Sequence, residues 1–504
     1  MMSLFDKGPF RSCPAPFNMA AHVLSAGLKT PDKEALVILS DAAPACWTYR
    51  QLRGAVLGTA TGLLDAGLTA GDTVLMRLGN TVDFPIAYLG ALAAGLVPVP
   101  TSAALTEAET AFVIDTTAPA AVLRDPAAPC PDHPKTIPLS EMAQFRSLPP
   151  ARFHMGDPNR PGYIIFTSGT SGTPRAVLHA HRAIWARQMM FDGWYGLRPQ
   201  DRMLHAGAFN WTYTLGTGLM DPWTIGATAL IPAAGTPVAD LPRLIGDNAA
   251  SIFAAAPGVY RQILAQTNQI PRGTLRHGLS AGEKLPDATA QRWRDASGCP
   301  VFEAYGMSEC STFISQAPTE TAVPGTLGRP QNGRRIAVVE DGVPVPFGTT
   351  GTIAIDQADP GLMLGYLNAP EATAARRSGD WFLTGDQGVM DSAGHIRFAG
   401  RRDDMMNAGG YRVSPIEVET VLAQVPGITA VAVTSVEVKA DTQVISAFYT
   451  GPATLDETDL RAYVSGQLAR YKQPRLYVHL PELPLGANGK ILRRVLRDRF
   501  ERPS

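Results

Sequence analysis

Lysine is scarce beside arginine in this chain, cysteine is sparse, net charge is nearly absent, and long apolar runs are missing. Each shortage excludes something. With 44 basic against 45 acidic residues the net charge is −1, which gives no electrostatic case for nucleic acid or an anionic membrane surface. Five cysteines (Cys13, Cys46, Cys130, Cys299, Cys310) are scattered, odd in number and without a Cys-x-x-Cys pair. A disulfide frame and a zinc site are therefore unexpected, and a reduced setting is expected. No apolar run reaches the ~18 residues that span a bilayer. The most apolar stretch, "FPIAYLGALAAGLVPVP" (84–100), is interrupted by prolines and reads as a buried helix running into a strand. The amino-terminal "MMSLFDKGPFRSCPAPF" has charge and proline where a signal peptide needs an apolar core. The expectation is a cytoplasmic protein with no integral membrane association.

What is present is a chain of 504 residues, 45% apolar and 18% charged, long enough for two or more domains. Between about 47 and 275, β-rich runs alternate with helical periodicity: "DTVLMRL" (72–78), "LVPVP" (96–100), "AAVLR" (120–124), "YIIFTS" (163–168) and "ATALIP" (227–232) are separated by patterns such as "TYRQLRGAVLGTATGLLDAG" (48–67). This predicts an α/β architecture with largely parallel sheets. From about 320 to 400, "RIAVVEDGVPVP", "GTIAI" and "GHIRFAG" are short strands broken by Gly and Asp-Gly turns, a pattern for an antiparallel sheet or a small barrel-like subdomain. After "GRRDD" the texture resets to a compact α+β unit, so domains of 1–402 and 403–504 are expected.

One loop stands out. "YIIFTSGTSGTPR" follows a strand-like run with Thr167, Ser168, Gly169, Thr170, Ser171, Gly172 and Arg175. A Walker-type loop needs Lys-Ser/Thr directly after its last glycine, and here Thr173, Pro174 and Arg175 follow. Glycines still let backbone approach an anion, and hydroxyls and N–H groups donate to its oxygens. Alone, the loop reads more readily as a surface turn, since Ser, Thr and Gly fill many turns. A second pattern, "GLSAG" (278–282), satisfies the G-x-S-x-G nucleophile elbow, but Pro286 closely follows and neither His395 nor His479 has a supporting context. "HAH" (179–181) has no evident third metal ligand and reads as structural.

The loop and six further segments resemble, in order, the motifs of the adenylate-forming superfamily, which includes acyl-CoA synthetases, adenylation domains and luciferases. These segments are "LSAGEKLP" (279–286), "EAYGMSE" (303–309), "DWFLTGD" (380–386), "GRRDDMMNAGGYRVSPIEVE" (400–419), "ARYKQPR" (469–475) and "PLGANGKILRR" (484–494). The resemblance covers nearly the whole chain and implies a small, mobile C-terminal domain. It also implies a two-step reaction: a carboxylate attacks the α-phosphate of ATP, then a thiol displaces AMP to give a thioester.

Site roles follow by the same resemblance. The loop 167–175 would hold the β- and γ-phosphates, with Arg175 and Ala176 where relatives usually carry Lys-Gly; arginine keeps the charge and offers two donors. Glu309 would bind Mg²⁺, a hard cation suited to one or two carboxylates plus phosphate oxygens. Tyr305 would stack on adenine, with Gly282, Glu283, Gly306 and Ser308 around it. Asp386 would accept from the ribose hydroxyls, with Arg401 nearby. Lys490 would bridge the substrate carboxylate and the α-phosphate, and Arg412 would meet phosphate in the adenylating pose. Asp403 is the implied hinge, while Gly409, Gly410 and Tyr411 would line the coenzyme A tunnel. The segment 204–227 would line the acyl pocket through Phe209, Trp211 and Tyr213, with Met307, flat surfaces suited to an aromatic ring or a short alkyl chain.

The segment is most similar to those of benzoate and medium-chain acyl-CoA ligases, and no acid stands out to hold an α-amino group. Free coenzyme A is the expected acceptor, since the chain ends soon after Lys490 without a fused carrier domain. A stand-alone enzyme loading a carrier protein and a non-catalytic adenylate-binding protein stay open as alternatives. The expected partners are a small carboxylic acid, ATP and coenzyme A, with a homodimer compatible.

Overall fold

The computed structural model describes residues 1–40, 44–167, 174–401, 406–408, 411–439, 442–485 and 491–501. They pack as two units: Phe5–Arg335 with Ile355–Phe382, and Met1–Leu4 with Ile336–Ala354 and Leu383–Ser504. The fold is α/β, as the alternating pattern predicts.

The first unit is built on a nine-stranded sheet. Six neighbouring strands run parallel in the order Glu34–Leu39, Thr228–Pro232, Arg202–His205, Ile252–Ala255, His277–Ala281, Val301–Met307. Both faces are covered, so successive residues feed different clusters. Leu204, Phe253 and Val301 pack with Trp293 and Tyr260 on one side, whereas Met203, Ala254, Leu279 and Phe302 pack with Trp194 on the other.

A second sheet, Val97–Pro100, Thr73–Arg77, Ala121–Arg124 and Thr136–Pro138, is wholly parallel. Helix Tyr49–Asp65 starts at a capping box, Thr48 with Gln51, that satisfies two otherwise orphaned N–H groups. Helix Asp83–Ala94 is apolar on all sides and buried, and ends where Gly95 takes φ 83°. It leads into Val97–Pro100, so the helix-to-strand reading of 84–100 holds.

The "YIIFTS" strand departs from expectation. Among the described residues Pro161–Thr167 joins no parallel sheet; it pairs antiparallel with Arg175–Ala180, which pairs antiparallel with Gly365–Tyr366. Periodicity reports a strand but not its partner, and here a hairpin supplies it.

The second unit holds most of the residues of strands Arg335–Glu340, Thr350–Asp356, Trp381–Met390 and Ile396–Arg401, which belong to a seven-stranded sheet. Beyond it, Ser414 caps helix Pro415–Leu422, with proline at the first turn where no N–H is needed. Ala430–Lys439 and Thr442–Thr450 form a long antiparallel pair. Helix Glu457–Ser465 follows, then strand Leu476–His479, parallel to Thr442–Thr450, and helix Arg493–Glu501. The boundary expected at 402 lies outside the described residues. All five cysteines are free thiols. Among the described residues no helix is long and apolar enough to cross a membrane.

Candidate active site

The hydroxyl loop connects two paired strands. Thr167 closes the first and lies opposite Arg175, which opens the second; Ser168, Gly169, Thr170, Ser171 and Gly172 lie outside the described residues. Tyr366, aligned with Val177 across the next pairing, is one diagonal step from Arg175. The Arg175 guanidinium sits over the Tyr366 ring, 5.2 Å from its centroid. The Tyr366 hydroxyl donates to Glu309 Oε1 at 2.6 Å, and Met363 N donates to the Glu309 carbonyl at 2.8 Å. Burial, with the Glu309 charge beside it, pushes the Tyr366 hydroxyl up to about 12, so it stays protonated and keeps donating. One tyrosine thus links the loop's cation to the carboxylate of "YGMSE".

Glu309 is buried, and no other carboxylate, histidine or cysteine joins it in a metal-holding group of three among the described residues. One carboxylate is a fitting donor set for Mg²⁺ carried mainly by phosphate oxygens and water, and a poor one for a metal held by protein alone.

On the proposed adenine side, Tyr305 and Gly306 sit at a bulge in Val301–Met307, where the register against Ser311–Ser315 shifts. A Cβ on Gly306 would lie 2.1 Å from Ser311 O and 2.5 Å from Thr312 Cα, so only glycine allows that approach. Tyr305 meets Phe313 edge to face at 5.4 Å. Gly282, at φ 95°, turns the chain out of His277–Ala281, and Glu283 lies on that turn. Glu303 ties the turn back: its buried carboxylate accepts from Leu285 N at 3.0 Å, and desolvation pushes its pKa up to about 7. Ser308 is held through its carbonyl, which accepts from His179 Nε2 at 2.7 Å. Burial pushes His179 down to about 4, so it is neutral with its proton on Nε2. His181, its Nδ1 accepting from Met19 N, is likewise neutral. Both are structural. Ser280 is fully buried within its strand, and the next helix starts only at Asp287, so no nucleophile elbow forms.

The acyl segment coils over Thr214–Met220 as a wide π-helical stretch, a form frequent at functional sites. It is held from beneath by Asp221, which accepts from Arg187 Nη2 at 2.6 Å and from Tyr195 Oη at 2.7 Å. Phe209 lies within the main apolar cluster. Trp211 and Tyr213 are perpendicular at 5.1 Å, and the His205 ring stands 4.5 Å from Tyr213. Gly207 N donates to His205 Nδ1 at 3.0 Å, which puts the ring proton on Nε2, and burial holds the pKa near 3. Among the described residues, His205 Nε2 and Tyr213 Oη are buried without hydrogen-bond partners. Met307 is half-buried at its strand's end.

In the second unit Asp386 and Arg401 face each other across Trp381–Met390 and Ile396–Arg401, forming an ion pair of 3.3 Å. Thr384 Oγ1 accepts from Asp386 N at 3.1 Å, fixing the "TGD" turn. The strand Tyr411–Val413 sets Tyr411 opposite Ala408 and Arg412 opposite Asn407. Leu485 and Ile491 are bridged across the "NGK" segment. Asp403, Gly409, Gly410 and Lys490 lie outside the described residues.

Two groups are therefore assembled: Arg175 with Glu309 through Tyr366, and Asp386 with Arg401. Tyr366, Glu303, His205 and the Arg187–Asp221 pair were not anticipated. Tyr366 in "LGYLN" carries no local chemical signal, since its role arises only from strand pairing.

Residues 25–367 match the model of the family described as AMP-binding enzyme, and residues 417–490 match AMP-binding enzyme C-terminal domain. The chain is 30% identical to benzoate–CoA ligase of Thauera aromatica over 524 residues, covering 97% of both chains. It is 29% identical to the mitochondrial acyl-coenzyme A synthetase ACSM2A of Homo sapiens, covering 96% of this chain and 91% of that one. Among solved structures it is similar to a benzoate CoA ligase from Burkholderia xenovorans LB400 (27% identity, TM-score 0.84, 95% of this chain and 100% of that one). It is also similar to the anthranilate CoA ligase AuaEII in complex with anthranoyl-AMP (25% identity, TM-score 0.85, 96% and 98%).

Proposed function

The chain belongs to the AMP-binding enzyme family and is an AMP-forming acid–CoA ligase, and on that premise we propose how its residues divide the work. ATP and coenzyme A are its co-substrates; the acid is aromatic or of short to medium chain. In the first step a carboxylate oxygen attacks the α-phosphorus, the bond to the β-phosphate oxygen breaks, and pyrophosphate leaves. In the second, the coenzyme A sulfur attacks the acyl carbon and AMP leaves with the bridging oxygen.

The observation that carries this reading is the Arg175–Tyr366–Glu309 group: a guanidinium and a carboxylate held beside the ends of a hydroxyl-rich loop. Arg175 and the loop from Thr167 to Gly172 would bind the polyphosphate, whose charge redistributes as pyrophosphate departs. Glu309 would hold Mg²⁺, which supplies charge neutralisation on the phosphate oxygens. Tyr305 would stack on adenine beside Gly282, Glu283, Gly306 and Ser308. Asp386 would accept from both ribose hydroxyls while Arg401 keeps its carboxylate oriented. Lys490 and Arg412 would stabilise the reacting phosphate, the domain beyond 402 would turn about Asp403 between steps, and Gly409, Gly410 and Tyr411 would admit the pantetheine arm. Trp211, Tyr213 and Met307 would face the acyl group, with Phe209 backing them. A cytoplasmic location completes the proposal.

The test is pyrophosphate release from ATP across benzoates and straight-chain acids, with and without coenzyme A. Release that depends on the acid, with thioester formed only when coenzyme A is added, is the expected result. No release with any acid would favour a binding protein, and thioester formed on a carrier protein but not on coenzyme A would favour a loading enzyme.

A further inference from the structure

We infer that Tyr366 is a positioning residue for the polyphosphate end of the site, setting Glu309 through its hydroxyl and Arg175 through its ring. This rests on the ligase reading above, which assigns Tyr366 no contact with a substrate.

Among the described residues Glu309 makes one side-chain hydrogen bond, from Tyr366, and Arg175 forms no ion pair. A buried carboxylate and a nearby guanidinium would ordinarily close directly on each other. That closure would neutralise both and leave neither for a phosphate. Tyr366 engages each of them instead. Its O–H takes Oε1 of Glu309 and leaves Oε2 for a cation, and its ring carries the guanidinium, whose central carbon lies 5.2 Å from the ring centroid, without the charge closing on a carboxylate.

The tyrosine is itself held rigidly. Tyr366 N donates to Thr373 Oγ1 at 2.9 Å, Leu367 N to the Ala176 carbonyl at 2.9 Å, and Leu364 N to the Leu178 carbonyl at 2.8 Å. Met363 N fixes the Glu309 backbone from the same segment. The strand Gly365–Tyr366 is thus tied both to the strand that begins at Arg175 and to the carbonyl of Glu309, so the spacing of the two charges is set by backbone rather than by long side chains.

This arrangement also accounts for arginine at 175. A planar guanidinium stacks on an aromatic face and still presents donors at its edge, whereas a lysine ammonium is a compact point charge that cannot do both in one geometry. Arg175 and Tyr366 therefore work as a pair.

The experiment is a double-mutant cycle read by calorimetry, with a non-hydrolysable ATP analogue as probe in the presence and absence of Mg²⁺, alongside thermal unfolding. Tyr366→Phe keeps the ring and deletes the bond to Glu309. It is expected to weaken only the Mg²⁺-dependent part of binding, by roughly three- to tenfold, the worth of a hydrogen bond to a charged group. Arg175→Lys is expected to weaken binding roughly tenfold in the parent and to be silent when introduced into Tyr366→Leu, because coupled residues are non-additive. Equal Mg²⁺ dependence in Tyr366→Phe and the parent, or an Arg175→Lys loss of the same size in both backgrounds, would overturn the inference. The parent's acid-dependent pyrophosphate release is measured in parallel, so failure of the ligase reading is seen separately from failure of this one. Unchanged KM for the acid in Tyr366→Phe separates positioning from general loosening of the fold.

Discussion

Replacing Glu303 with glutamine should make the protein's stability less dependent on pH. The Glu303 side chain is buried between the strand carrying Tyr305 and the turn at Gly282, and its Oε1 accepts from Leu285 N. Desolvation raises its pKa from 4.5 to about 7, more than the hydrogen bond lowers it. Below about pH 4.5 the folded and unfolded chains both hold the proton. Between about 4.5 and 7 only the unfolded chain releases it, so stability falls with rising pH, and above about 7 the loss is complete. At about 1.36 kcal/mol per pH unit the loss is roughly 3 kcal/mol. In a unit of this size that is roughly 3–4 °C in Tm. Glu303→Gln keeps an acceptor for Leu285 N and has no charge to desolvate. Thermal unfolding from about pH 5 to about pH 8.5 should show the variant matching the parent at the acid end and exceeding it at the alkaline end. Parallel curves would refute the reasoning, since they would mean that Glu303 ionises as easily folded as unfolded.

Asp359→Ala strands the fully buried Arg334 guanidinium, and unfolding in denaturant should register a loss of roughly 3–5 kcal/mol. Gly306→Ala forces a Cβ against the Ser311 carbonyl, so the bulge must shift; a stability loss of roughly 1–3 kcal/mol together with a raised KM for ATP is expected. Lys490→Ala should abolish adenylation yet spare thioester formation from supplied acyl-adenylate; equal loss of both would contradict a rotation of the small domain between steps.

The fold class was legible because burial on both sheet faces writes itself as apolar runs alternating with helical patterns, as in 73–77 and 121–124. The pairing of Pro161–Thr167 was not, since a hairpin and a parallel strand of equal burial share one periodicity. The nucleotide motifs could be named in the sequence because they resemble those of the adenylate-forming superfamily in kind and order. The groups that hold them in place could not. Tyr366 reaches Glu309 across 57 residues, and Arg187 reaches Asp221 across 34, by contacts that only folding creates. His205 gives no local sign that its Nδ1 is taken by Gly207 N and that its Nε2 is buried with no partner among the described residues. For the same reason the identity of the acid is not written in spacing, since it depends on how the folded segment sets Trp211, Tyr213 and His205 against one another.

The account's central claim is that the substrate carboxylate becomes joined to AMP before it meets the thiol. An acid labelled with heavy oxygen in its carboxylate, turned over with ATP and coenzyme A, tests this directly by mass spectrometry of the nucleotide product. The account predicts AMP carrying one heavy oxygen from the acid. Unlabelled AMP, or ADP as the product, would contradict it.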